Sequence, residues 1–223
     1  MPRSYAQHCA LAHALDVIGE RWTLLIIREL LVGPRRYTDL ARGLVTVPSN
    51  VLTERLRHLE DAGLIARRRL PDPAEQVVVY ELTEEGAHLS DAVAALAKWG
   101  LRSLPTTPGG RVFRSRWLIL AMEARFDPVA SAGVQECYEL SIPGEEPVHF
   151  DVRDGSGAGH PGAGKDPAVR VQADAETLLA LASGALAPEQ AGLHGAVIEG
   201  DPASIARMLR VLPPPGEDAG GRS

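Results

Sequence analysis

Apolar residues recur at helical spacing from the start of the chain, at Cys9, Leu11, Ala12, Leu15, Val17 and Ile18. After Gly19 the pattern resumes in Trp22, Leu24, Leu25, Ile26, Leu30 and Leu31, and Gly33-Pro34 ends this second helix. A short amphipathic piece spans 37–44, and Pro48-Ser49 marks the next start. Between 49 and 62, Leu52, Leu56 and Leu59 recur at steps of four and three, which predicts a helix with one apolar face ended by Gly63. Its opposite face presents Asn50, Thr53, Glu54 and Arg57. Two strand-like runs, 64–70 and 77–82, are separated by the turn-rich spacer 71–76 and predict a hairpin with an extended tip. Thr83-Glu84-Glu85-Gly86 then opens a helix through Leu89, Val93, Leu96 and Trp99.

The pattern changes after 105–112, a Pro/Gly/Thr-rich stretch with the composition of a linker. An apolar helix over 117–125 precedes strands at 137–142, 148–152 and 169–171. Two further helices follow, one capped by Asp174 and the other by Asp201 with Pro202 at its first position. The fold class expected is mainly α with α+β: a helical domain carrying one hairpin over 1–104, then a small α+β domain over 113–212. The tail 213–223 reads as disordered from its composition.

Within that second half, Gly159 to Lys165 has the glycine and lysine spacing of a phosphate-binding loop. Asp166-Pro167 stands where the motif needs Ser or Thr and a helix start, so the loop is rejected and 155–166 is read as a flexible connection between strands. No Ser/His/acid, paired-carboxylate or metal constellation emerges; His149, His160 and His194 are scattered in sequence. An enzyme is therefore not expected, and no cofactor is implied.

Charge sharpens the reading of the first half. Residues 1–104 hold 13 basic and 13 acidic residues, whereas 105–223 hold 10 and 16 and so carry the whole net charge of −6. Inside 35–69, eight arginines face four acids, a local excess that suits phosphate contacts. Asn50 suits adenine, Arg57 guanine, and Thr53 a thymine methyl or a phosphate, when a helix lies in the major groove. Glu54 would orient an arginine or accept from cytosine. Ser49 opens that helix, and Arg35, Arg36, Arg67 and Arg69 flank it at positions that set register on the backbone. The expected partner is double-stranded DNA. No run of about 20 uncharged apolar residues is present to span a bilayer, and the N-terminus lacks a signal-peptide core, which points to the cytoplasm without a membrane partner.

Helix, helix, short helix, helix, hairpin, helix is the order of a winged helix-turn-helix. The runs ALDVIGERWTLLIIRELLVGPRRYTDLARGL, NVLTERLRHLEDAGLIARR and VVYELTEEG resemble the HxlR-type winged-helix transcriptional regulators over roughly 8–100. The resemblance implies a homodimer joined through the first and last helices of the domain, binding an imperfect palindrome, with the 49–62 helix as reader. The spacer 71–76 has two acids and no arginine, which departs from the basic wing tip such proteins usually offer. Cys9 lies where some relatives carry a redox- or electrophile-sensing thiol; the alternative is a small structural hydrophobe. Cys9, His13 and His8 lack a further ligand set, so no metal is expected there.

The segments CYELSI, VHFDVRDG, VRVQADAETLLALASGAL and VIEGDPASIARMLRVL resemble the sterol carrier protein type two fold. That resemblance implies an apolar tunnel, with Leu178, Leu179, Leu181, Leu186, Ile205, Met208 and Leu209 as candidate lining for a hydrophobic small-molecule effector. The same residues serve equally as plain core. Two functions stay open: a ligand-responsive regulator, and a carrier of hydrophobic ligands whose winged helix serves dimerisation.

Overall fold

The computed structural model describes residues 4–71, 77–101, 103–105 and 109–214. Residues 72–76 of the expected hairpin tip, residues 106–108 of the linker and the tail beyond 214 lie outside the described residues. The chain forms two compact units, Met1–Val93 and Ala94–Ser223.

In the first unit, α1 (Ala10–Ile18), α2 (Thr23–Leu31), α3 (Tyr37–Gly43) and α4 (Ser49–Asp61) precede a hairpin of β1 (Ile65–Leu70) and β2 (Val77–Leu82). The helical stripe read from sequence is the core: Ile26, Ile27, Leu40, Leu52, Leu56, Leu59 and Ile65 are all essentially inaccessible to solvent. Burying each such side chain contributes roughly 1.5–3 kcal/mol, so the three leucines fix which face of α4 points outward. The hairpin pairs in antiparallel register from Ile65 opposite Leu82 to Leu70 opposite Val77. A third, one-residue strand joins it. Arg35 N donates to Tyr80 O at 2.9 Å and Tyr80 N donates to Arg35 O at 2.7 Å, which ties the start of α3 to β2.

The single helix expected from 83 onward is two: α5 (Glu84–Ala87) and α6 (Ser90–Leu101), with the unit boundary falling inside α6. Thr83 Oγ1 caps α5 by accepting from Gly86 N at 3.1 Å, and it donates to Gly63 O at 2.7 Å. Gly86 has no room for a side chain, because a Cβ there would sit 2.0 Å from Leu64 O. The first turn of α5 is thus pressed onto the residue preceding β1.

In the second unit, α7 (Trp117–Arg125) is followed by β3 (Gln135–Ser141), β4 (Val148–Arg153), β5 (Ser156–Pro161), β6 (Val169–Gln172), α8 (Ala175–Ser183), a 3₁₀ helix (Pro188–His194), β7 (Val197–Gly200) and α9 (Pro202–Val211). The sheet order is β5-β4-β3-β6-β7, antiparallel throughout except for the parallel β3–β6 pair. Tyr138, Val148, Phe150, Val152, Val169 and Val171 form the buried face, beside the equally buried Leu118, Ile119 and Met122 of α7.

The segment expected to be a flexible connection, 155–166, instead contains β5. It pairs with β4 along its whole length, with His160 opposite His149 and Gly157 opposite Val152. Its glycines hide it from propensity, yet they are what the packing needs. A Cβ on Gly157 would meet the Phe150 and Phe126 rings at 2.6–2.7 Å, and one on Gly159 would meet Ile119 Cγ2 at 2.5 Å.

Asp174 caps α8 through Thr177 N at 2.8 Å, and Asp201 caps α9 through Ala203 N and Ser204 N. A polar network fastens α9 to β3: Arg207 Nε donates to Glu136 Oε1 at 2.8 Å, and Tyr138 Oη donates to Glu136 Oε2 at 2.8 Å. Burial would raise the Glu136 carboxyl, but the hydrogen bonds from Arg207 and Tyr138 hold it below the usual glutamate range.

Candidate nucleic-acid interface

With Leu52, Leu56 and Leu59 buried, α4 presents Ser49, Asn50, Thr53, Glu54 and Arg57 along one exposed face, lining a shallow open groove. The helix follows Pro48, whose extended backbone ends the preceding turn. Thr53 Oγ1 donates to Ser49 O at 2.9 Å, and Tyr37 Oη donates to the same carbonyl at 3.0 Å. The Thr53 hydroxyl therefore serves the helix start, which leaves its methyl as the group not so engaged. Tyr37, which sequence reasoning did not single out, links α3 to the first turn of α4.

The arginines sort by partner, which sequence could not reveal. Arg67 pairs with Glu60 at 2.7 Å and lies over the Tyr80 ring at 5.6 Å. Arg68 pairs with Glu81 at 2.7 Å, and Arg42 stands 3.9 Å from Asp39. Arg55 turns inward between Glu20 and Glu54, each at 3.6 Å, so Glu54 attends Arg55 rather than Arg57. Arg35 is fixed by its main chain to β2. Arg36, Arg57 and Arg69 are exposed and make no ion pair among the described residues. The local cationic excess is thereby concentrated on one residue of α4, one at the start of α3 and one on β1.

Adjoining this face, a polar cleft of about 650 Å³ is lined by Tyr5, Asp16, Glu20, Arg55, Arg57 and His58, among others. Asp16 draws the N-terminal segment into it, accepting from Tyr5 N at 2.8 Å and Ser4 Oγ at 2.9 Å. Cys9, just upstream of α1, is exposed and occupies the N-cap position. The backbone N–H groups of Ala12 and Leu11 at this helix start lower its thiol below the ordinary range. Cys137 is buried in β3, where burial first and the Asp151 carboxylate second push its thiol up to about 12.

The proposed tunnel residues separate. Leu178 is packed core at 2% exposure, while Leu181, Leu186 and Leu209 line an open groove with Arg125, Arg210 and Pro213. Leu179, Ile205 and Met208 are half-buried outside that lining. Arg125 donates to Leu212 O and Pro213 O there, and burial lowers its guanidinium to about 10. Among the described residues no helix is long and apolar enough to cross a membrane.

Residues 17–107 match the HxlR-like helix-turn-helix model, and residues 123–212 match the SCP-2 sterol transfer family. An uncharacterized HTH-type transcriptional regulator of Mycobacterium tuberculosis is 42% identical over 100 residues, covering 45% of this chain and 62% of the relative's length. The uncharacterized HTH-type transcriptional regulator YtfH of Escherichia coli is 35% identical over 101 residues, covering 45% of this chain and 79% of its own. YvaP of Bacillus subtilis, also described as an uncharacterized HTH-type transcriptional regulator, is 33% identical over 86 residues, covering 39% and 79%. Among solved structures, the redox regulator HypR in its oxidized form aligns with a TM-score of 0.41 at 29% identity, over 44% of this chain and 99% of that one. With the HxlR-like match over residues 17–107 and a relative 35% identical over 79% of its own length, the chain belongs to the HxlR-like helix-turn-helix family of transcriptional regulators.

Proposed function

We propose that the protein is a cytoplasmic, homodimeric regulator that binds an imperfect palindrome in double-stranded DNA with α4 in the major groove. The observation that carries this reading is the exposed face of α4, where Asn50 and Arg57 stand free of ion pairs over a packed leucine stripe. Asn and Arg are the side chains that read adenine and guanine bidentately. Arg35, Arg36 and Arg69 act as phosphate contacts, with Arg67 contributing less because its guanidinium already pairs with Glu60. Dimerisation is supported by apolar side chains left exposed on the first and last helices of the domain, among them Leu11 at 67% and Trp99 at 69%. Selection of bound sites from random duplexes tests the proposal. An enriched two-fold element with half-sites about one helical turn apart supports it; no enrichment sinks it.

Two inputs fit this reading. An apolar effector would occupy the Leu181–Leu186–Leu209 groove rather than the space between α7 and the sheet, where Gly157 and Gly159 already bring side chains into contact. Modification of the exposed Cys9 thiol would act on the first unit directly. Operator binding with and without a titrated fatty acid or an oxidant separates the two.

A further inference from the structure

The second face of the sheet, away from α7, carries polar residues in cross-strand rows. One row runs His160, His149, Glu139, Arg170, Glu199 across all five strands, because each residue stands opposite the next in register. His149 and His160 are direct neighbours on β4 and β5, with ring centroids 5.3 Å apart and planes inclined by 38°. His149 Nδ1 lies 3.0 Å from Gly162 O. A carbonyl only accepts, so Nδ1 is the donor in this contact, and in the neutral ring the lone pair is on Nε2. His160 is exposed and makes no hydrogen bond among the described residues.

We propose that His149 and His160 form a binding site for a divalent transition-metal ion of the zinc class, held by two imidazoles and completed by water. A metal–nitrogen bond of about 2.0–2.1 Å places a ring centroid about 3.2 Å from the ion, so two imidazoles at a tetrahedral angle stand about 5 Å apart. The observed centroid separation of 5.3 Å is close to this value, so the two strands already hold the rings at a compatible spacing. The Gly162 carbonyl supplies the outer hydrogen bond that fixes the tautomer and orientation of a metal-binding histidine. Glu139, opposite His149, and Asp151, two residues along β4 on the same face, add negative charge nearby.

Those carboxylates are not ligands. Glu139 accepts from Gly164 N at 2.8 Å and stands 3.6 Å from Arg170, while Asp151 faces the Cys137 thiol and lies 3.7 Å from Arg153. Accordingly no group of three His, Cys, Asp or Glu converges on one point among the described residues. The site is an open, exchangeable clip between the edge strand β5 and its neighbour, unlike a closed structural zinc site.

The test is Zn²⁺ titration of the full chain by calorimetry, with thermal melts alongside. Because Cys9 lies beside His8 and His13, the variants compared are His160→Ala and His13→Ala. The proposal expects one Zn²⁺ bound per chain, affinity at least about 10-fold weaker in His160→Ala, and little change in His13→Ala; even an outer partner's loss costs that much. Zn²⁺ should also raise the melting temperature of the wild type and not that of His160→Ala, since an ion bound only by the folded sheet stabilises it. Binding that survives His160→Ala, binding lost only in His13→Ala, or no binding at millimolar Zn²⁺ overturns the proposal.

Discussion

Replacing Arg57 with Ala isolates the contribution of the reading helix. The side chain is exposed and makes no ion pair among the described residues, so its removal leaves no buried partner unsatisfied. Stability should change by no more than about 0.5 kcal/mol. A bidentate contact to guanine is worth about 1–3 kcal/mol, so affinity for the selected operator should fall roughly 5- to 150-fold. The assay is fluorescence anisotropy with operator and scrambled duplexes over a series of salt concentrations. Loss on the operator alone, with relaxed preference at one base pair, identifies a base contact. Uniform loss, with the salt slope reduced by about one, identifies a phosphate contact. Arg67→Ala is the internal control: its guanidinium already serves Glu60 and Tyr80, so it should affect DNA binding less and cost roughly 0–1 kcal/mol of stability. Equal operator affinity of Arg57→Ala and wild type at matched salt would refute the reasoning.

Other outcomes follow from the same geometry. A thiol reagent at pH 8 should label one cysteine per chain quickly; Cys9→Ser should abolish that fast phase, because the Cys137 thiol is buried and pushed up to about 12. A fast phase persisting in Cys9→Ser contradicts the assignment. Gly157→Ala drives a methyl to within 2.6 Å of Phe150, and chemical denaturation should register about 1–3 kcal/mol lost from the second unit. For Glu136 the folded carboxyl is lowered, so its contribution is present above the ordinary glutamate range and disappears as pH falls toward the lowered value. Glu136→Gln should therefore flatten the acid limb of the stability profile; an unchanged limb means the Arg207 contact contributes nothing.

The elements legible in sequence are those whose burial is periodic. Leu52, Leu56 and Leu59 announced both α4 and its outward face, and the strand-like run 77–82 after a turn-rich spacer announced β2. What escaped depends on partners distant in sequence. That Arg67 and Arg68 are spoken for by Glu60 and Glu81, and that Thr53 turns its hydroxyl onto Ser49, follows from cross-element geometry rather than from spacing. The strand β5 escaped because Gly157, Ala158 and Gly159 carry almost no strand propensity; β4 on one side and α7 above impose its conformation. Glycine at alternate positions was the available signal. Losing the strand also lost the pairing of His149 with His160, which looked scattered only while 155–166 was taken for a loop.

The two main-chain hydrogen bonds between Arg35 and Tyr80 have a mechanical consequence. They couple the hairpin to the start of α3, and Tyr37 in turn couples α3 to the first turn of α4. Among the described residues, the paired part of the hairpin is thereby tied to the start of α3 and, through it, to α4. On the proposed reading, a mismatch between these elements and the duplex would fall on the DNA, which would twist or bend at a cost set by its own base steps. Operator positions that no side chain touches would thereby acquire a preference for deformable sequence.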